Sequence, residues 1–180
     1  MLRAGWLLVL SLSALGTVPA AVRALQAPDG TVAFEAAPRL RQARALHDEP
    51  GAPLVDYYFT LRLPENAGEP LQRVRIRQRE GLEPLRFRDE AVAFAGVPNN
   101  RGRAFPLQAV EREGSAVSLV LDEPAPPGTT LTVGIRSRQN PTSGGIYLFG
   151  VTAYPAGERA QGLYLGIGRL QFDRPDGSLF

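Results

Sequence analysis

Leu71–Arg79 reads LQRVRIRQR. Along it Val74 and Ile76 fall on one side and Arg73, Arg75, Arg77 and Arg79 on the other. A period of two marks a strand with one buried face and one solvated face. The neighbouring segments carry the same signal. Val55–Leu63 (VDYYFTLRL) is rich in aromatic and β-branched residues, which fit a pleated surface. Leu107–Arg112 and Ala116–Leu121 form a predicted hairpin around Glu113-Gly114-Ser115, with Val117, Leu119 and Leu121 facing inward. Thr130–Arg136, Gly145–Tyr154 and Leu163–Phe172 complete the longer strands. Thr31–Glu35, Pro84–Arg88 and Ala91–Ala95 are shorter ones. Arg39–Leu46 fits either a strand or a helical turn.

The connectors carry turn chemistry: Pro64–Gly68, Pro98–Gly102, Pro124–Gly128, Asn140–Gly145 and Pro155–Gly157. Gly and Pro, 19 and 16 of 180 residues, are frequent enough for many tight turns. No segment holds a helical period over three turns. Short strands at regular spacing with turns between them predict an all-β fold, a single immunoglobulin-like antiparallel β-sandwich.

The N-terminus predicts export. Arg3 precedes an uncharged run, Trp6–Gly16 (WLLVLSLSALG), and then Val22-Arg23-Ala24 places small residues at −3 and −1 of a cut after Ala24. A cut after Ala20, with Val18 at −3, is the alternative. The run is short for a permanent membrane span. The organisation expected is a signal peptide over 1–24, a sandwich over 25–172 and a C-terminal tail over 173–180. The compartment expected is an exported one, the periplasm or the extracellular space.

Composition excludes much chemistry. All twenty basic residues are Arg. Removing Arg3 and Arg23 with the signal leaves eighteen, against eighteen acidic residues. A neutral domain lacks the basic footprint of a nucleic-acid binder. The absence of Lys removes Schiff-base chemistry and phosphate-loop lysines. The absence of Cys removes thiol nucleophiles, disulfides and thiolate metal sites. His47, the single imidazole, follows no nucleophile elbow and is read as a surface or strand-end residue. No cofactor is expected. Only carboxylate chemistry survives among enzymatic readings, which leaves a carboxylate-dependent glycan hydrolase as the alternative to a non-enzymatic binding or accessory module.

Several motifs together carry a resemblance: LPENAGEPLQ (63–72), QREG (78–81), Asn100-Arg101-Gly102, Pro126-Pro127-Gly128, NPTSGGIYLFGVTAYPAGE (140–158) and Gly168-Arg169-Leu170. From about Ala27 to Phe172 the chain resembles a cyanobacterial family of exported proteins classed as a domain of unknown function, DUF2808. The resemblance implies a single compact domain of the envelope or, as a further compartment, the thylakoid lumen. It brings no catalytic or binding residue with it.

Three groups of residues are candidates for a site. Arg73, Arg75 and Arg77, continued by Arg79, project from one strand face about 7 Å apart. That spacing suits an anionic polysaccharide of the cell envelope; the competing reading is a solvated face with acidic neighbours across the sheet. Tyr147, Tyr154 and Tyr164 lie in two strands apolar on both faces. They suggest a platform for a sugar or a protein partner, or else two adjacent central strands packed closely through Gly150, Gly166 and Gly168. The acidic loops, with Glu65, Asn66 and Glu69 in one and Asp173 and Asp176 in the other, are rich in oxygen as calcium sites are, but match no known calcium-loop spacing, and turn formation explains them equally. No metal site is expected. Gly166-Ile167-Gly168 lacks the third glycine and the helix of a dinucleotide site.

Overall fold

The computed structural model describes residues 30–173. The segment read as a signal peptide and the tail beyond Asp173, including Asp176, lie outside the described residues. Ten strands follow one another: β1 (Arg39–Ala45), β2 (Asp56–Arg62), β3 (Leu71–Glu80), β4 (Phe87–Val97), β5 (Asn100–Ala104), β6 (Leu107–Glu113), β7 (Ala116–Ala125), β8 (Thr130–Ser137), β9 (Gly145–Pro155) and β10 (Leu163–Phe172). The described residues contain no helix. Two five-stranded antiparallel sheets, ordered β1-β2-β8-β4-β5 and β10-β9-β3-β7-β6, make an immunoglobulin-like sandwich.

Alternation decides which side of each strand is buried. Val74 and Ile76 are buried on β3, and Val117, Leu119 and Leu121 on β7. From the facing sheet come Tyr57, Phe59 and Leu61 of β2 and Leu131, Val133 and Ile135 of β8. Removing such side chains from water supplies the main driving force, each worth about 1.5–3 kcal/mol. Polar partners face the other way, so a slip by one residue would turn the whole set outward.

Three parts of the chain differ from the sequence reading, and a fourth, left open there, is decided. Thr31–Glu35 forms no strand; Val32 makes one isolated bridge to Ala160. Of the two readings of Arg39–Leu46 the strand holds, over Arg39–Ala45, where Leu40, Ala43 and Ala45 pack on the core. Pro84–Arg88 and Ala91–Ala95 are not separate: Phe87 to Val97 is one strand with an irregular register between Phe87 and Ala91. Asn100-Arg101-Gly102, read as a connector, opens β5. All five β5 residues are exposed, so no apolar alternation marks them in the sequence.

The strands β9 and β10 are adjacent, as expected, but β10 is a sheet edge rather than central. That edge closes against β1 of the other sheet. A Cβ at Gly168 would sit 2.7 Å from the Ala43 Cβ and 3.0 Å from the Phe59 ring, so only glycine permits this approach.

The motif-bearing loops fasten one end of the sandwich. The Gln78 side chain accepts from the Leu85 amide and donates to the Glu83 carbonyl, both at 2.8 Å. Gly81, at φ +147°, lets the chain cross the Tyr147 ring, which a Cβ would meet at 2.2 Å. The Glu83 carboxylate accepts from the backbone amides of Thr142 (2.6 Å) and Ser143 (3.0 Å) and from the Thr142 hydroxyl (3.2 Å). The Ser143 amide foremost, then Thr142, holds the Glu83 carboxyl below its ordinary range. A lowered folded value means that this clamp stabilises above the unfolded carboxylate range and is lost as pH falls through the folded value. Glu83→Ala is therefore expected to lower the melting temperature at pH 7, with the gap to the parent closing below about pH 4, where even the unperturbed carboxylate range has been crossed. A gap that is constant with pH would contradict an ionic clamp.

Candidate functional site

The outer face of the second sheet gathers the arginine row and two of the tyrosines. Antiparallel register sets Arg75 opposite Thr152 and Arg77 opposite Gly150 on β9. On the far side of β9, Thr152 lies opposite Tyr164 and Gly150 opposite Ile167. A bulge between Tyr164 and Gly166 breaks the β10 ladder there, and Gly166 takes φ +115° to allow it. Arg75, Arg77, Arg79, Gly150, Thr152, Tyr154 and Tyr164 line a depression of about 220 Å³. Gly150 is its floor. A Cβ there would lie 3.1 Å from the Tyr164 ring and 3.3 Å from the Arg79 side chain, so the missing side chain lets both lie across β9.

The residues on this face are not equivalent. The Arg73 guanidinium stacks on the Tyr154 ring, 4.1 Å from its centroid. Gly162 lies against the same ring, which a Cβ would meet at 2.5 Å. Arg73 and Tyr154 thus form a half-buried wall. Arg75 pairs with Glu113 of β6 at 2.7 Å. Arg77 and Arg79 have no hydrogen-bond or ion-pair partner among the described residues, and both are exposed. Tyr164 keeps 55% of its surface exposed. All three project from the sheet, and the acidic neighbour of the solvated-face reading is found at Arg75 and not at Arg77 or Arg79.

Tyr147 does not join the other two tyrosines. It sits fully buried on the inner side of β9, edge-on to Phe172 at 5.5 Å between ring centroids. Strand parity separates it from Tyr154: positions 147, 149, 151 and 153 point inward, and 154 does not. Both faces of this stretch are apolar, so parity could not be read from the sequence. Thr152 is the addition that the structure makes to the face, and Arg79, already read as the end of the row, lines it too. The periodicity of β3 signals Arg79, whereas Thr152 follows only from strand register.

The outer face of the first sheet is organised differently. Arg136 holds Asp56 with two hydrogen bonds of 2.7 and 3.0 Å, Tyr58 donates to Asp56, and Arg101 donates to the Tyr58 hydroxyl while lying over the Phe94 ring at 4.7 Å. These side chains satisfy one another.

The described residues of the acidic loops do not assemble into a metal site. Among the described residues no group of three or more His, Cys, Asp or Glu side chains is placed to hold a metal ion. Glu69 is buried with one carboxylate oxygen unpartnered, and burial, then the nearby Glu35, pushes its carboxyl up. Glu65 remains exposed. His47 is exposed and contributes its backbone carbonyl to Asn140. No helix among the described residues is long and apolar enough to cross a membrane.

A family model described as "Protein of unknown function (DUF2808)" matches residues 31–172. No curated protein matches the chain. Among solved structures, the collagen-binding subdomain ACE19 of the Enterococcus faecalis surface protein ACE is 8% identical with a TM-score of 0.45, over 76% of this chain and 99% of that one. A 35 kDa C-terminal fragment of the major pilin GBS80 of Streptococcus agalactiae is 7% identical with a TM-score of 0.48, over 76% of this chain and 56% of that one. The collagen-binding domain of a Staphylococcus aureus adhesin is 4% identical with a TM-score of 0.40, over 74% and 96%. The chain spans about half the length of the pilin fragment.

Proposed function

The chain belongs to the DUF2808 family, and on that premise we propose that it is an exported, non-enzymatic binding module that holds an acidic polysaccharide of the cyanobacterial envelope on the outer face of β3, β9 and β10. One observation carries the reading: two guanidiniums without a partner among the described residues, Arg77 and Arg79, face an exposed tyrosine, Tyr164, across a glycine floor. Guanidinium forks match carboxylate geometry with two parallel hydrogen bonds. An aromatic ring offers an apolar surface with a polar tip, which suits the flat side of a sugar ring. Because β3 presents its arginines every second residue, successive acidic units of one polymer can be met in turn. Glycoside hydrolysis would need two carboxylates roughly 5–10 Å apart about the bond. Arginines and tyrosines line this depression instead, which favours binding without cleavage. Export rests on the segment before Leu25, with the mature domain starting there.

Retention on immobilised polygalacturonate across a salt gradient tests the proposal. Exposed charges are screened beyond about 8 Å at physiological ionic strength, so retention should fall steeply as salt rises. The variant Arg75→Gln/Arg77→Gln/Arg79→Gln should fold normally, because exposed ion pairs such as Arg75–Glu113 are worth about 0–1 kcal/mol. It should elute at least tenfold earlier in salt-dependent affinity. Equal retention of parent and variant would remove the arginine face as a binding surface.

A further inference from the structure

We infer that a second oxyanion site, independent of the β3–β9–β10 face, lies on the first sheet at Arg39, Arg41 and Arg62. Register sets Arg39 of β1 directly opposite Arg62 of β2. Like charges so placed repel and destabilise a strand pair. The chain brings a third to the same place: the register shifts between Leu40 and Gln42, so Arg41 is an extra residue at a bulge. Leu61 and Leu63 point into the core, so Arg62 projects outward.

The three arginines line a cleft of about 580 Å³ whose walls include Ala36, Ala37 and Pro64. None of them is in an ion pair among the described residues. Arg62 is oriented by hydrogen bonds from one guanidinium nitrogen to the Gly128 carbonyl and the Thr130 hydroxyl, which leaves its other donors free. Arg39 and Arg41 make no hydrogen bond among the described residues. Glu65 is the one carboxylate in the lining, so the cleft is strongly positive.

An oxyanion resolves this arrangement. It turns the Arg39–Arg62 repulsion into a bridge, since each guanidinium donates in a plane that fits a carboxylate or phosphate edge. The volume falls within the range of small-ligand sites. The ligand class is therefore a saccharide-sized molecule bearing a carboxylate or a phosphate. The cleft belongs to the sheet opposite the β3 arginine row, so one copy of the chain can hold two anionic groups on opposite faces.

Calorimetric titration tests the site in the chain already carrying Arg75→Gln, Arg77→Gln and Arg79→Gln, so that the first face contributes nothing. The probes are trigalacturonate and inorganic pyrophosphate. Saturable binding of either is expected, weakened at least tenfold by adding Arg39→Gln. Trigalacturonate alone would assign a carboxylated sugar, pyrophosphate alone a phosphate, and both would assign an oxyanion fork that takes either. Melting supplies a second readout. Without probe, Arg39→Gln should melt no lower than its parent, because it removes a like-charge pair; at equal probe concentration the parent should gain more stability than the variant. Absence of binding by both probes, or equal binding after Arg39→Gln, would overturn the site. Neither result bears on polymer retention by the unaltered β3 row.

Discussion

Phe149→Ala is expected to destabilise the domain by about 3–5 kcal/mol, the range for removing a large buried aromatic side chain. Phe149 is fully buried at the middle of β9. Its ring meets Tyr57, Phe59 and Phe87 edge-on, at centroid separations of 6.2, 5.7 and 6.3 Å, so one side chain joins β9 to β2 and β4 of the other sheet. Edge-to-face contacts add to the area that burial removes from water. The chain has no cysteine, so no disulfide shares the load. For a domain of this size the loss corresponds to a fall of roughly 10 °C in melting temperature. Denaturant unfolding with an unchanged slope would confirm that stability alone has changed. A cost below about 1 kcal/mol would show that the two sheets do not depend on this ring.

Asn140→Ala is expected to cost about 2–3 kcal/mol, because the side chain is a buried hub whose removal orphans partners on two segments. Its carbonyl accepts from the Tyr57 hydroxyl at 2.8 Å, and its amide donates to the carbonyls of His47 (3.1 Å) and Glu49 (2.9 Å). Burial pushes the Tyr57 phenol far above its usual range, so it remains a neutral donor and needs this acceptor. The two carbonyls lie on exposed residues, and water can replace the amide there. The larger share of the cost falls on Tyr57. Limited proteolysis should cut the variant faster in the segment 47–52, which Asn140 pins. Unchanged stability together with unchanged cleavage would mean that backbone bonds, such as Asn140 amide to Ala52 carbonyl at 2.8 Å, hold the loop without the side chain.

The sandwich was legible wherever alternation was clean. On β3 and β7 the buried positions follow directly from period two. On β9 they do not: Ile146, Leu148 and Tyr154 are as apolar as the buried residues between them, and parity is set by contacts with the facing sheet. The strand β5 was invisible because a wholly exposed ribbon carries no apolar pattern. The long motif at 140–158 proves largely architectural. Asn140, Thr142 and Ser143 fasten loops, and Tyr147, Phe149 and Val151 fill the core. Its contribution to the candidate site is the floor, Gly150, with Thr152 and the Tyr154 wall. The arginines were legible as a row, but their inequality was not. That Arg75 is paired, Arg73 stacked and Arg77 and Arg79 without a partner among the described residues depends on Glu113 and Tyr154, which come from strands distant in sequence.

Mapping the backbone amide resonances of the isotope-labelled chain during titration with an acidic oligosaccharide, beginning with trigalacturonate, addresses the binding face most directly. Shifts that saturate together at Arg77, Arg79, Gly150, Thr152 and Tyr164, and that vanish at high salt, are the expected result. If these five amides stay unmoved while the probe binds elsewhere, or if it does not bind at all, the outer face of β3, β9 and β10 is not the polysaccharide site.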